Sequence, residues 1–219
     1  MKKKSLKDIV SSLLVIECLS LITKMNNYTK HLKLIESLSY KPNLLLHVCC
    51  GVCSVYTLDY LRKYFNITIF FTNSNIYPYD EYLNRLNALK EYLTILNDSS
   101  IKMIVDEYDN EEYMKDLSIY SNLKEGDIRC KLCYEKRLDK TFRYGKDNNY
   151  EYVGTVMSIS NRKNAEWLNE IGEKLENKYN ITYLYADFKK QDGITKNEKM
   201  NKELNLYHQN YCGCIYSIR

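Results

Sequence analysis

At 219 residues and 45% hydrophobic content, the chain can bury a core without covalent staples, which argues against the small disulfide-framed scaffold that eight cysteines otherwise suggest. A net charge of +4 and a pI near 8.4 permit a nucleic-acid partner without requiring one. The 22 tyrosines come with only 7 glycines and 2 prolines, a drift in composition that gives no single tyrosine weight as a base-stacking group.

Lys2 to Lys4 followed by the apolar residues 9–23 have the charged and apolar parts of an export signal, but Asp8 and Glu17 interrupt them and no small-residue cleavage site follows. The stretch is also short for a membrane span. It reads as an amphipathic helix in an N-terminal helical extension, residues 1–40, with Cys18 as a buried small hydrophobe and Met25 as an alternative start. Residues 41–219 read as a single α/β domain. Short apolar runs predict strands at 44–48, 67–71, 102–105, 152–157 and 181–185; helices are predicted over 54–64, near 80–96 and over 164–179. Strands alternating with helices imply right-handed crossovers and a doubly wound parallel sheet, carrying a cysteine-bearing helical insertion and a cysteine-bearing C-terminal segment.

Seven cysteines fall in three tight clusters: Cys49, Cys50 and Cys53; Cys130 and Cys133; Cys212 and Cys214. A structural zinc site would use four thiolates, and the surplus favours an iron–sulfur centre, or a cluster with a second metal. The first cluster follows directly on the first apolar strand, where an α/β nucleotide binder keeps its glycine-rich phosphate loop and where ligands of open sheets bind. A shared metal centre would reward the convergence of three segments so remote in sequence.

The ordered segments LLLHVCCGVCSVYTLDYL, NIYPYDEYLNRL, IRCKLCYEKRLDKT, LYADFKKQDG and ELNLYHQNYCGCIYS resemble the QueH family of epoxyqueuosine reductases, over about residues 40–217. The resemblance implies a nucleotide α-hydrolase-like (HUP) fold and a cytoplasmic, cobalamin-independent iron enzyme with no membrane partner. Such an enzyme reduces epoxyqueuosine to queuosine at the wobble position of tRNA with a GUN anticodon, using electrons from an unidentified donor. It further implies a [4Fe–4S] cluster with Cys49, Cys50, Cys130, Cys133 and Cys212 among its ligands, and an additional mononuclear iron; all seven cysteines, Cys53 and Cys214 included, are candidate metal ligands. They divide as three for a cluster with one differentiated iron and four for the mononuclear iron, and adjacent Cys49 and Cys50, expected to point apart, could serve two metals. In this family the Cys53 position can hold another metal-binding side chain.

His47, just before the cysteine turn, is a candidate to bond a sulfur or donate a proton, or else a strand-end histidine satisfied by backbone. Asp187 is a candidate acid for the opening epoxide, with a helix N-cap or a loop ion pair to Lys189 as the alternative. Tyr134 and Tyr211 flank cysteines and read as packing. Arg129, Lys131, Lys136, Arg137, Lys140, Arg143 and Lys146, and a second stretch of Lys189, Lys190, Lys196, Lys199 and Lys202, adjoin the cysteines and read as solvated helix faces or as docking sites for anticodon-arm phosphates. Lys196, Asn197, Asn201 and His208 depart from the family pattern, which bears on the RNA contacts more than on the metal chemistry. Two rival functions stay open: an ATP-dependent tRNA-modifying enzyme of related fold, and a zinc- or iron–sulfur-containing tRNA-binding protein.

Overall fold

Leu44, Leu45 and Leu46 have no exposed surface, as consecutive side chains must when a strand is covered on both faces. They form the middle of β1 (Asn43–His47) in a computed structural model that describes residues 26–218. The helix expected over residues 9–23, with Cys18, lies outside the described residues. The chain continues through α2 (Gly51–Leu61), β2 (Asn66–Phe71), α3 (Tyr79–Leu96), β3 (Lys102–Val105), α4 (Asn110–Ser118), α5 (Ile128–Asp147), β4 (Tyr152–Thr155), α6 (Ala165–Tyr179), β5 (Thr182–Tyr183) and α7 (Gly193–Leu204). A helix α1 (Asn27–Ser37) precedes β1, and 3₁₀ turns span Val156–Ile159 and Ile215–Ser217.

All strand pairs are parallel and the spatial order is β3-β2-β1-β4-β5. The chain therefore winds outward from β1 to β3, then returns to the far side of β1 for β4 and β5. This is the doubly wound sheet expected from the sequence, and its order reverses between β1 and β4, with His47 opposite Thr155 at their carboxyl ends. Helices flank it: α2 packs with α3 and α7, and α5 with α6 and the centre of the sheet. Among the described residues no helix is long and apolar enough to cross a membrane.

The boundaries follow local chemistry. Asn164 caps α6 by accepting the N–H groups of Glu166 and Trp167, and Asn180 closes it in the left-handed conformation. β4 stops at Thr155, two residues short of the predicted end, because the Thr155 hydroxyl accepts the Met157 N–H and starts a 3₁₀ turn. β5 is shorter than predicted as an edge strand, although the Leu184 N–H still reaches Val153 O at 2.8 Å. α1 is docked by His31, whose Nδ1 lies 2.9 Å from Tyr185 O and whose Nε2 lies 3.1 Å from the Tyr60 hydroxyl.

Candidate metal centre

At the reversal point β1 ends on His47 and the chain turns almost at once into α2. Gly51 permits this, since a Cβ there would lie 2.8 Å from the Ala88 backbone in α3. Helix α2 thus starts three residues earlier than the pattern predicts, and Cys53 lies in its first turn rather than in the loop before it. The sulfurs of Cys49, Cys50 and Cys53 lie within 4.8 Å of one another, with Cys49 and Cys50 3.7 Å apart. The expectation that these neighbours diverge does not hold: their sulfurs meet where the chain passes from β1 into α2, with Cys50 itself extended as the N-cap of the helix. Hydrogen bonds from Cys50 and Cys53 hold the Cys49 thiol well below its ordinary pKa, while burial pushes Cys50 up to about 12.

The C-terminal cysteines are brought in by α3. Arg85, buried in that helix, donates from Nε to Glu81 at 2.7 Å and from its two terminal nitrogens to Cys212 O at 3.0 Å and Tyr211 O at 3.1 Å. Gly213, between the two cysteines, has φ +124°, and a Cβ there would meet Arg85 Nη1 at 3.0 Å. Cys130 and Cys133 open α5; Gly126 N–H donates to Cys130 Sγ at 3.3 Å, and the Tyr113 hydroxyl donates to Cys133 O at 2.9 Å. Burial pushes the Cys130 and Cys214 thiols up, and Cys212 and Cys133 nearby add to it.

A cavity of about 190 Å³ opens onto Cys49, Cys50, Cys53 and Cys212, walled by Arg85, Lys163 and Gln209 among others. Gln209 Nε2 lies 3.0 Å from Cys50 Sγ, and Lys163 Nζ lies 3.8 Å from Cys212 Sγ. The cavity adjoins a groove of about 480 Å³ along α7; Val52, Asn197, Glu198 and His208 line both. None of the seven cysteines is in a disulfide. The donors fit a metal: soft sulfur ligands converge on one cavity, and two sulfurs at about 2.3 Å from one tetrahedral ion would lie roughly 3.8 Å apart, as Cys49 and Cys50 nearly do.

His47 is fully buried beside this group. Its Nδ1 lies 2.9 Å from Thr155 Oγ1, and its Nε2 makes no hydrogen bond of ordinary geometry. Burial, with Arg137 nearby, pushes its pKa down to about 3, so the imidazole is neutral. Asp187 lies elsewhere: its carboxylate pairs with Lys189 at 3.2 Å and lines a different cavity, with Tyr28, His31 and Tyr56. Tyr134 is buried next to Arg137, and Tyr211 lines the cysteine cavity.

The basic stretch in α5 is not a free cationic face. Arg129 is buried and bonds the carbonyls of Tyr120, Ser121 and Leu123, and Arg137 is buried near the sulfurs. Lys131, Lys136, Lys140 and Arg143 are paired with Glu170, Asp116, Asp106 and Asp139. Sequence reasoning missed Lys163 and Arg85, and it took Arg137 for a surface charge. Arg137 follows Cys133 by four residues, a spacing that puts both on one helix face, and Lys163 follows the carboxyl end of β4, where ligands of such sheets gather.

A family model described as epoxyqueuosine reductase QueH matches residues 44–219. The protein of that name from Staphylococcus epidermidis is 36% identical over 217 residues, covering 93% of this chain and 91% of the relative. The one from Thermotoga maritima is 32% identical over 178 residues, covering 80% and 90%. Among solved structures, the U34-tRNA thiolase NcsA from Methanococcus maripaludis with its [4Fe–4S] cluster is similar, with a TM-score of 0.53. The likeness covers 84% of this chain and 64% of that one at 13% identity, and it is one of fold, the HUP-like arrangement. By sequence over most of its length, this chain belongs to the QueH family of epoxyqueuosine reductases, which are oxidoreductases.

Proposed function

We propose that this protein is a cytoplasmic enzyme that removes the epoxide oxygen of epoxyqueuosine in the anticodon of tRNA, giving queuosine. Two electrons and two protons enter, the oxygen leaves as water, and the two carbons that carried it become an alkene. The reading is carried by the gathering of Cys49, Cys50 and Cys53 with Cys212, from segments remote in sequence, around one cavity, in a chain whose relatives are named for this reaction.

The seven cysteines would hold a [4Fe–4S] cluster and a further iron. When bound, such a centre supplies electrons one at a time and a Lewis-acidic iron for the departing oxygen. The compact spacing of Cys49, Cys50 and Cys53 suits a single ion with three protein ligands and an open position, leaving Cys130, Cys133, Cys212 and Cys214 for the cluster. This reverses the division expected from the sequence. His47, buried and neutral, is assigned to holding the end of β1 through Thr155. The groove along α7 leads from open surface to the cysteine cavity and offers Asn197, Asn201 and Asn205 to a splayed-out nucleotide, with Arg162 at the cavity wall for a phosphate.

The test has two parts. The gene should restore queuosine to the tRNA of a host that lacks its own epoxyqueuosine reductase. Anaerobically purified protein should carry about five irons, against about four for one cluster alone; Cys53→Ser should lose about one of them and Cys130→Ser the cluster. Failure to restore queuosine with full iron content would reject the substrate, and colourless protein holding zinc would favour a binding role.

A further inference from the structure

Two cations buried beside the sulfurs have no carboxylate to balance them. Lys163 is 8% exposed and Arg137 is 2% exposed. Among the described residues neither forms an ion pair with Asp or Glu, whereas Arg85, the third buried cation there, is neutralised by Glu81 at 2.7 Å. The hydrogen-bond partner of Lys163 Nζ is Cys212 Sγ at 3.8 Å. Arg137 reaches Cys133 O with Nε at 3.4 Å, and its Nη2 is buried without a partner.

Burying a cation is strongly unfavourable unless its hydrogen bonds or a nearby negative charge compensate; Arg129 has three carbonyls for this, whereas Lys163 has a sulfur and Arg137 keeps a buried nitrogen without a partner, so both depend on negative charge beside them. Cysteine sulfur, which gives up its proton when it binds metal, is the source here. Lys163 lies within the field of Cys212, Cys49 and Cys53, and Arg137 within that of Cys133, Cys49 and Cys212. Lys163 lines the same cavity as Cys49, Cys50, Cys53 and Cys212, and Arg137 lies one helical turn after Cys133.

We propose that Lys163 and Arg137 are the fixed counter-charges of the metal centre, and that Lys163 raises the potential at which that centre accepts an electron. The inference rests on reading the site as an iron centre. Each electron delivered by a one-electron reductant adds negative charge next to a fixed ammonium, which stabilises the reduced form more than the oxidised one. Lys163 is thus a positioning charge for the reduction.

Lys163→Met keeps most of the length of the side chain and removes the charge; Lys163→Arg keeps the charge. Anaerobic titration with dithionite, followed by electron paramagnetic resonance, should show Lys163→Met reduced at least tenfold less favourably, a fall of about 59 mV for one electron. Lys163→Arg should stay near wild type. An unshifted midpoint in iron-loaded Lys163→Met would overturn the proposal. If Lys163→Met takes up no iron, normal loading of Lys163→Arg supports the counter-charge and loss in both overturns it. Wild-type protein with no reducible iron signal would instead reject the iron centre itself, before any variant is compared.

Discussion

Arg85 ties the C-terminal ligands to the fold, and Arg85→Met is the sharpest test of how the site is assembled. The substitution keeps an apolar stem of similar length but removes the partner of Glu81 and the donors that hold Cys212 O and Tyr211 O. Glu81 is left buried with the Tyr207 hydroxyl at 2.5 Å. Removing one partner of a buried pair costs about 3–5 kcal/mol, chiefly because the other charge stays behind. In a chain of this size each kcal/mol lowers Tm by about 2–4 °C, so the midpoint should fall by about 6–20 °C. Adding Glu81→Gln removes the orphaned carboxylate and should recover roughly half of the loss. Scanning calorimetry of anaerobic protein measures the midpoint, and iron analysis of the same samples should show content falling as Cys212 loosens. A midpoint within about 2 °C of wild type, an effect under 1 kcal/mol, together with full iron content would refute this account of the C-terminal segment.

His31 joins α1 to the core, and burial holds its pKa below the ordinary 6.5. The unfolded chain then binds a proton at this position below about pH 6.5 while the folded chain does not, so this contribution to stability is present above that pH and is lost as pH falls toward the depressed folded value. Urea unfolding between about pH 8 and pH 5 should show the loss, and His31→Gln should flatten that part of the slope; an identical slope in the variant would assign it to other groups. Asp187→Asn should leave iron content and turnover unchanged, since the carboxylate is held by Lys189 outside the cysteine cavity. A drop in turnover of about 10²-fold with iron intact, the size expected for a lost general acid, would return Asp187 to the role of proton donor.

Much of the fold was legible because each strand carries its signal locally. The run Leu44 to Leu46 can only be a strand buried on both faces, and apolar runs alternating with helical periods leave little choice but a parallel sheet. α4 was missed because its exposed face is mostly polar and its apolar stripe narrow, whereas α7 had been read as a solvated helix face from its lysines. The end of β4 was missed because a side-chain cap at Thr155 overrides the apolar pattern that runs on to Met157.

Seven thiols in three clusters, one of them directly after the first strand, already pointed to metal and to the carboxyl edge of the sheet, because ligand chemistry and βαβ topology are both written in residue type and spacing. Which sulfurs converge was not legible, since it depends on Gly51 letting α2 approach α3 and on Arg85 drawing in the C-terminal segment. Nor was the fate of the charges. Arg137 reads like its basic neighbours in α5, and only the packing of that helix against the sheet turns it inward among sulfurs while Lys131, Lys136, Lys140 and Arg143 pair with carboxylates. A sequence carries the identity of each charge; the electrostatic environment that decides its role exists only once the chain has folded around it.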